Sequence, residues 1–346
     1  MAMSAAAMNP EKFSPFHIHS TSYKAVNEHP IGVDILVPKD LEPGTKKNPL
    51  IVRFHGGFFV SNLCGSLIVP SSLFLVHSFT HTTKVTSASL LPLFFTNWIL
   101  ELALLNGAII VSADYRLIPE ATGIDVLSDV SDLWKWVHSE LQSFLSHTAA
   151  AAPQIDFAHI LAVGDSSGGW LAMQSALTQP AGSIKAVIGL YPQLDLRDPF
   201  FNTKFEKYLF GMPMLPTGIV DSHVTAMAPG AVVTSAYLPS RLDLTCSMVQ
   251  NGRFLEFLGE SKDLFPVEIV ASAEHMPAVL IVHGREDSAV PAVGSERFVE
   301  ALKKKLPGSP VRLDVRSGDH GFDGDATTEE KWLKEDVDFI TGYWLA

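Results

Sequence analysis

Apolar residues in this chain fall into short unbroken runs, separated by longer stretches where they recur every three or four positions. Leu50-Ile51-Val52-Arg53-Phe54, Ala108-Ile109-Ile110-Val111-Ser112 and His159-Ile160-Leu161-Ala162-Val163 have the length and β-branched character of buried strands. Lys185 to Leu190, Ala278 to Val282 and Val311 to Val315 repeat that pattern. Between the second and third runs, Val126, Val130, Leu133, Val137, Leu141 and Phe144 sit three or four apart. That spacing predicts one helix with an apolar stripe. Further helices are predicted at about 294–305 and 329–345. His19 to Val26 and Gly32 to Val37 alternate, and predict an antiparallel pair joined through Asn27-Glu28-His29-Pro30. Apolar strands alternating with amphipathic helices predict an α/β fold: a mostly parallel central sheet with helices on both faces. The whole chain, 1–346, reads as one such domain.

Some segments break the alternation. Residues 196–272 carry Pro, Gly, Met and aromatics (Phe200, Phe201, Phe205, Tyr208, Phe210, Met212, Met214) without a sheet period, and residues 1 to about 15 read as a loose tail. Residues 63–90 are rich in Ser and Thr with Lys84 as their one formal charge, and form an extra loop: a flap, a poorly ordered connection or dispensable sequence. Residues 91–111 are apolar enough to raise the question of a membrane span. Asn97, Glu101 and Asn106 interrupt them, and Asn106-Gly107 makes a helix stop, so helix followed by buried strand is the expectation.

A 47% hydrophobic content over 346 residues suits a large core, and a formal net charge of −12 argues against a nucleic-acid partner. The start MAMSAAAMNPEKF lacks a basic region followed by an apolar one, so no secretory signal is expected. Cys64 and Cys246 fit no zinc or redox spacing, and a reducing, cytoplasmic setting follows. His17-Ile18-His19 would share a face in an extended segment, but no third ligand accompanies them and no metal or other cofactor is expected.

The chemistry concentrates after the strands, where sheets of this kind gather reactive groups. Gly164-Asp165-Ser166-Ser167-Gly168 follows one strand and opens a helix-forming segment, the strand–turn–helix context of a nucleophile elbow. His55-Gly56-Gly57 follows a second strand, His283-Gly284-Arg285-Glu286-Asp287 a third and Gly318-Asp319-His320 a fourth. Ser166, Asp287 and His320 occur in the order nucleophile, acid, base. A serine hydroxyl needs an imidazole to take its proton, and a carboxylate on the other ring nitrogen fixes the tautomer and stabilises the imidazolium. Glu286 competes with Asp287 for the acid's role. His275 and His283 compete with His320, although His283 lies on the acid's own loop. Asp319 and Asp323 are too near His320 in sequence to orient it easily. Backbone N–H groups of Gly56, Gly57 and Ser167 are the expected oxyanion donors, each worth on the order of 3 kcal/mol.

With Asp114-Tyr115-Arg116-Leu117, Pro119-Glu120 and Tyr191-Pro192 added to these blocks, the chain resembles the hormone-sensitive-lipase-like α/β-hydrolases over residues 50 to about 325. It is also similar to hydrolases of fungal biosynthetic clusters. The resemblance implies a carboxylic-ester hydrolase acting on a small-molecule ester, with a cap made of N-terminal residues and the 196–272 insertion. Phe58 stands where many members have a third glycine, so the wider oxyanion pocket and activity on tertiary-alcohol esters are not implied. Ser167 replaces a common alanine at a position where only the N–H is needed. Arg116 and Glu120 read as a charge pair behind the site. Two other readings use the same fold: a lactonase or cyclising acyltransferase with this triad, and a ligand-binding protein, which is expected to have lost a triad member.

Overall fold

The computed structural model describes residues 10–41, 46–61, 90, 92, 95–149, 153–236 and 240–346. The predicted N-terminal pair is a hairpin of β1 (Phe16–Val26) and β2 (His29–Pro38). Asn27 and Glu28 turn it at φ of 49° and 65°, the positive-φ pair that matches strand twist in a tight hairpin. There follow β3 (Lys47–Phe54), α1 (Asn97–Asn106), β4 (Ile109–Ala113), α2 (Gly123–Ser139), α3 (Leu141–Thr148) and β5 (Gln154–Asp165). The Asn106-Gly107 stop acts as expected. Gly107 takes the left-handed conformation, φ 60°, and its N–H closes the last turn of α1. No helix among the described residues is long and apolar enough to cross a membrane. The single helix expected over 126–144 is two, divided at Glu140. Buried Val137 and Leu141 stand four apart across that division, so the apolar spacing passes through the break and conceals it.

The second half runs α4 (Ser167–Thr178), β6 (Ala186–Leu190), α5 (Pro199–Asn202), α6 (Gly218–Ala226), α7 (Leu242–Gln250), α8 (Phe254–Leu258), α9 (Pro266–Ile269), β7 (Ala278–Gly284), α10 (Val293–Lys305), β8 (Val311–Arg316) and α11 (Lys331–Trp344). The sheet order is β1-β2-β4-β3-β5-β6-β7-β8. β1 and β2, and β2 and β4, pair antiparallel; every later pair is parallel. Successive side chains in a strand face opposite sides, so β3 places Leu50, Val52 and Phe54 in one core and Ile51 in the other. Residues of α2, α4 and α10 cover the first face, and residues of α1 and α11 cover the second. Sheet register then aligns the strand ends: Phe54 lies beside Gly164, Asp165 beside Leu190, and Leu190 beside Val282. One edge of the sheet therefore collects the turns that follow β3, β5, β7 and β8.

From Phe16 onward the N-terminal residues belong to the sheet, while residues 1–9 lie outside the described set. The hairpin tip touches the 196–272 insertion through Asn27 Nδ2, which donates to Gly230 O (3.1 Å), and His29 Nε2 beside Thr234 Oγ1 (3.0 Å). The extra loop 63–90 lies outside the described residues, apart from Leu90.

Candidate active site

Ser166 occupies the one residue between β5 and α4, at φ 56° and ψ −119°. This is strained backbone for a non-glycine residue, held by hydrogen bonds on both sides. Ser166 N–H donates to Leu190 O (2.8 Å), and its carbonyl accepts from Trp170 N–H and Gln193 N–H, both at 3.2 Å. The flanking glycines are required by contact. A Cβ on Gly164 would lie 2.0 Å from Gly168 O, and one on Gly168 would lie 2.2 Å from Phe54 O. The Ser166 hydroxyl is buried, with no hydrogen-bond partner among the described residues. Hydroxyl–imidazole contacts of such sites commonly tighten only in the substrate complex.

Asp287 and His320 are brought together. His320 Nδ1 lies 2.7 Å from Asp287 Oδ2, and both side chains are fully buried. The carboxylate is fixed by more than the histidine: Oδ1 accepts from Ala289 N–H (2.9 Å) and Val290 N–H (2.7 Å). His283, the competitor on the same loop, stands behind this carboxylate. Its Nε2 lies 3.3 Å from Asp287 Oδ2, and its Nδ1 lies 2.8 Å from Ser295 Oγ. Burial would push the Asp287 carboxyl up, but His320 and His283 outweigh it and hold the group well below the usual carboxylate range. The ring of Tyr191 lies 4.5 Å from that of His320, packing the imidazole against the residue that follows β6.

The competing residues have other work. Glu286 is exposed and accepts from Gly318 N–H (2.6 Å), so it pins the loop that carries His320. Asp319 accepts from Ser288 N–H (2.8 Å), and His275 Nε2 lies 3.0 Å from Gln179 O. His17 and His19 stand on β1 without a third ligand among the described residues.

The oxyanion turn departs from expectation at Gly56. Its N–H donates to Asp165 Oδ2 (2.9 Å), so it is not free for the oxyanion role expected of it. The turn's remaining N–H groups, on Gly57 and Phe58, have no partner among the described residues, and Ser167 opens α4 where helix N–H groups lack intrahelical acceptors. Phe58 adopts a positive φ of 54°, and the next residue, Phe59, one of 60°. Sequence reasoning missed the device behind this turn. Arg53 pairs with Asp165 Oδ1 at 2.8 Å, and both groups are buried. Burial raises the Asp165 carboxyl above its ordinary value despite the guanidinium. His55 packs flat on Tyr115 (4.3 Å), whose hydroxyl donates to His55 O (2.8 Å). Burial pushes His55 down to about 3, so the ring is neutral and donates from Nδ1 to Gly56 O (2.8 Å). The one available signal was a charge, Arg53, inside an apolar strand, because a buried charge requires a partner.

Arg116 and Glu120 do not pair. Arg116 is held by Asp125 and Asp129, both at 2.9 Å, whereas Glu120 pairs with Arg241 (2.5 Å) and His223 (2.9 Å) of the 196–272 insertion. That insertion reaches the site with aromatic rings. Phe58 lies 6.5 Å from Phe201, 6.1 Å from Phe210 and 6.3 Å from Phe254, and Phe210 lies 5.9 Å from the His320 ring.

Asp323 is fully buried three residues past His320, and its Oδ2 accepts from Trp98 Nε1 (3.0 Å). Burial raises its carboxyl to about 6. The native value lies above the unfolded one, so its contribution is fully present below about pH 4 and is lost as pH rises through about 6. Asp323→Asn keeps an acceptor for Trp98 and cannot ionise. It is expected to be more stable than the parent at pH 8 by on the order of 2–3 kcal/mol, with the gap closing near pH 4. Paired thermal melts at the two pH values test this, and an equal gap at both would refute it.

A family model described as alpha/beta hydrolase fold matches residues 84–250, and one described as Prolyl oligopeptidase family matches 233–344. Probable carboxylesterase M8 of Phoma sp. is 31% identical over 96% of this chain and 98% of its own length. Probable carboxylesterase clz11 of Cochliobolus lunatus is 34% identical over 54% of this chain and 87% of its own. Among solved structures, the butyrate-bound esterase Est2 of Thermogutta terrifontis matches with a TM-score of 0.56 at 21% identity, covering 96% of this chain and 94% of that one, a likeness of fold. With this sheet, these strand-end motifs and a carboxylesterase relative along nearly its whole length, the chain belongs to the hormone-sensitive-lipase-like α/β-hydrolases and is a carboxylic ester hydrolase.

Proposed function

We propose that Ser166 is the nucleophile, His320 the general base and acid, and Asp287 the orienting carboxylate for hydrolysis of a small-molecule ester. Ser166 Oγ attacks the ester carbonyl as His320 Nε2 takes its proton. The tetrahedral oxyanion accepts from the N–H groups of Gly57, Phe58 and Ser167. On collapse the bond to the alcohol oxygen breaks, His320 returns the proton to that oxygen, and an acyl-serine remains. Water, deprotonated by His320, then releases the acid and restores Ser166. The Arg53–Asp165 pair positions the turn through Gly56, and residues 196–272 serve as the cap, with Phe210 next to His320.

The observation that carries this reading is the buried 2.7 Å contact between His320 and Asp287 at the sheet edge where Ser166 sits at positive φ. An acid in that contact holds the Nδ1–H tautomer, which leaves Nε2 to accept a proton. Incubation with a fluorophosphonate, followed by peptide mass spectrometry, is expected to find one covalent adduct on Ser166 with parallel loss of esterase activity. An adduct on another residue that tracks the loss of activity would overturn the assignment.

A further inference from the structure

Gln193 is fully buried, and neither its Oε1 nor its Nε2 has a hydrogen-bond partner among the described residues. The other two buried glutamines each keep at least one bond. Gln250 Oε1 accepts from Leu215 N–H (2.9 Å), and its Nε2 donates to the carbonyls of Lys207, Met212 and Pro213. Gln174 keeps one bond, from Nε2 to Asp263 O (2.8 Å). Among the described residues Gln193 is the buried amide with both ends unpaired. A buried amide is costly to leave unpaired, and a bound substrate is one group that can pair it.

Its position suggests the function. Gln193 N–H donates to the carbonyl of Ser166 (3.2 Å), which ties its backbone to the nucleophile. It follows β6, the strand between β5, which leads to Ser166, and β7, which leads to Asp287. Two residues earlier, Tyr191 packs on His320. Another buried hydroxyl without a partner among the described residues lies near the same edge: Ser61 Oγ, whose backbone N–H donates to Gly57 O (3.0 Å).

We propose that Gln193 is a specificity-determining substrate contact, and that the esters this enzyme prefers carry a hydroxyl within a few bonds of the scissile carbonyl. A carboxamide presents acceptor and donor sites together, and a hydroxyl is the small group that answers both. A site that pairs a buried amide with a substrate hydroxyl discriminates against the analogue lacking it, because the amide is then left unpaired. The inference rests on the esterase reading above.

The test compares kcat/KM within two ester pairs: p-nitrophenyl butyrate with p-nitrophenyl β-hydroxybutyrate, and propyl butyrate with hydroxyethyl butyrate. The parent is expected to favour the hydroxylated member of at least one pair by about tenfold or more. In Gln193→Leu and Gln193→Met that ratio is expected to fall to within about twofold of unity. A parent ratio near unity in both pairs, or a preference that survives in the variants, overturns the proposal. If neither variant retains a cooperative melting transition, Gln193 is structural and the proposal fails. A parent that cleaves none of these esters overturns the esterase reading, and this assignment with it.

Discussion

Ser166→Ala is expected to lower kcat for ester hydrolysis by at least about ten-thousandfold while leaving the melting transition in place. The two halves of this expectation have separate causes. In the proposed mechanism the hydroxyl supplies the bond-forming oxygen, which alanine lacks. What activity remains comes from the oxyanion donors and from binding alone. The fold, by contrast, does not depend on that oxygen: Ser166 Oγ makes no hydrogen bond among the described residues, so alanine removes an unpaired buried polar atom. The backbone strain at φ 56° is carried by hydrogen bonds to Leu190, Trp170 and Gln193, which alanine retains. Turnover within tenfold of the parent, in a variant with an unchanged melt, would show that another residue is the nucleophile.

The sheet was legible because its strands are buried on both faces. Leu50 to Phe54, Ile160 to Val163 and Ala278 to Val282 read as apolar runs for the same reason that they pack between two layers of helices. The elbow was legible because its glycines are demanded by contacts inside one local unit, within a few residues of Ser166 and against the neighbouring strand. The choice of His320 rested on strand-end placement, and the structure brings His320 and Asp287 into contact across 33 residues of chain.

What escaped the sequence has long-range causes. Gly56 looked like an oxyanion donor because its type and place fit; its actual acceptor, Asp165, lies 109 residues away. Arg116 and Glu120 are close in sequence and opposite in charge, yet their partners sit on α2 and in the insertion. Most helices of the insertion are four to nine residues long, too short to express a 3.6-residue period over more than a few turns. Gln193 carries no sequence signal, since nothing in its neighbours foretells an unpaired amide. The general limit is plain in these cases. Local patterns encode elements and their ends, whereas the identity of a hydrogen-bond partner depends on which ends meet.

The choice of acid is the second sharp test. Asp287→Asn is expected to cost about ten-thousandfold in kcat, and Glu286→Gln less than about threefold. An asparagine at 287 keeps an oxygen for the N–H groups of Ala289 and Val290, so the loop should hold its shape. Its amide NH2 then faces His320 Nδ1, which must accept rather than donate. The proton moves to Nε2, and the ring can no longer take one from Ser166. The neutral amide also withdraws the charge that stabilises the imidazolium formed during attack. Glu286 touches none of this chemistry. It is exposed, its oxygen accepts from Gly318 N–H, and glutamine at that place keeps an acceptor. Both variants should therefore fold, and kcat on p-nitrophenyl butyrate separates them by more than a thousandfold. A larger loss in Glu286→Gln than in Asp287→Asn would mean that the buried contact seen here is structural, and that the catalytic histidine is oriented by the neighbouring carboxylate.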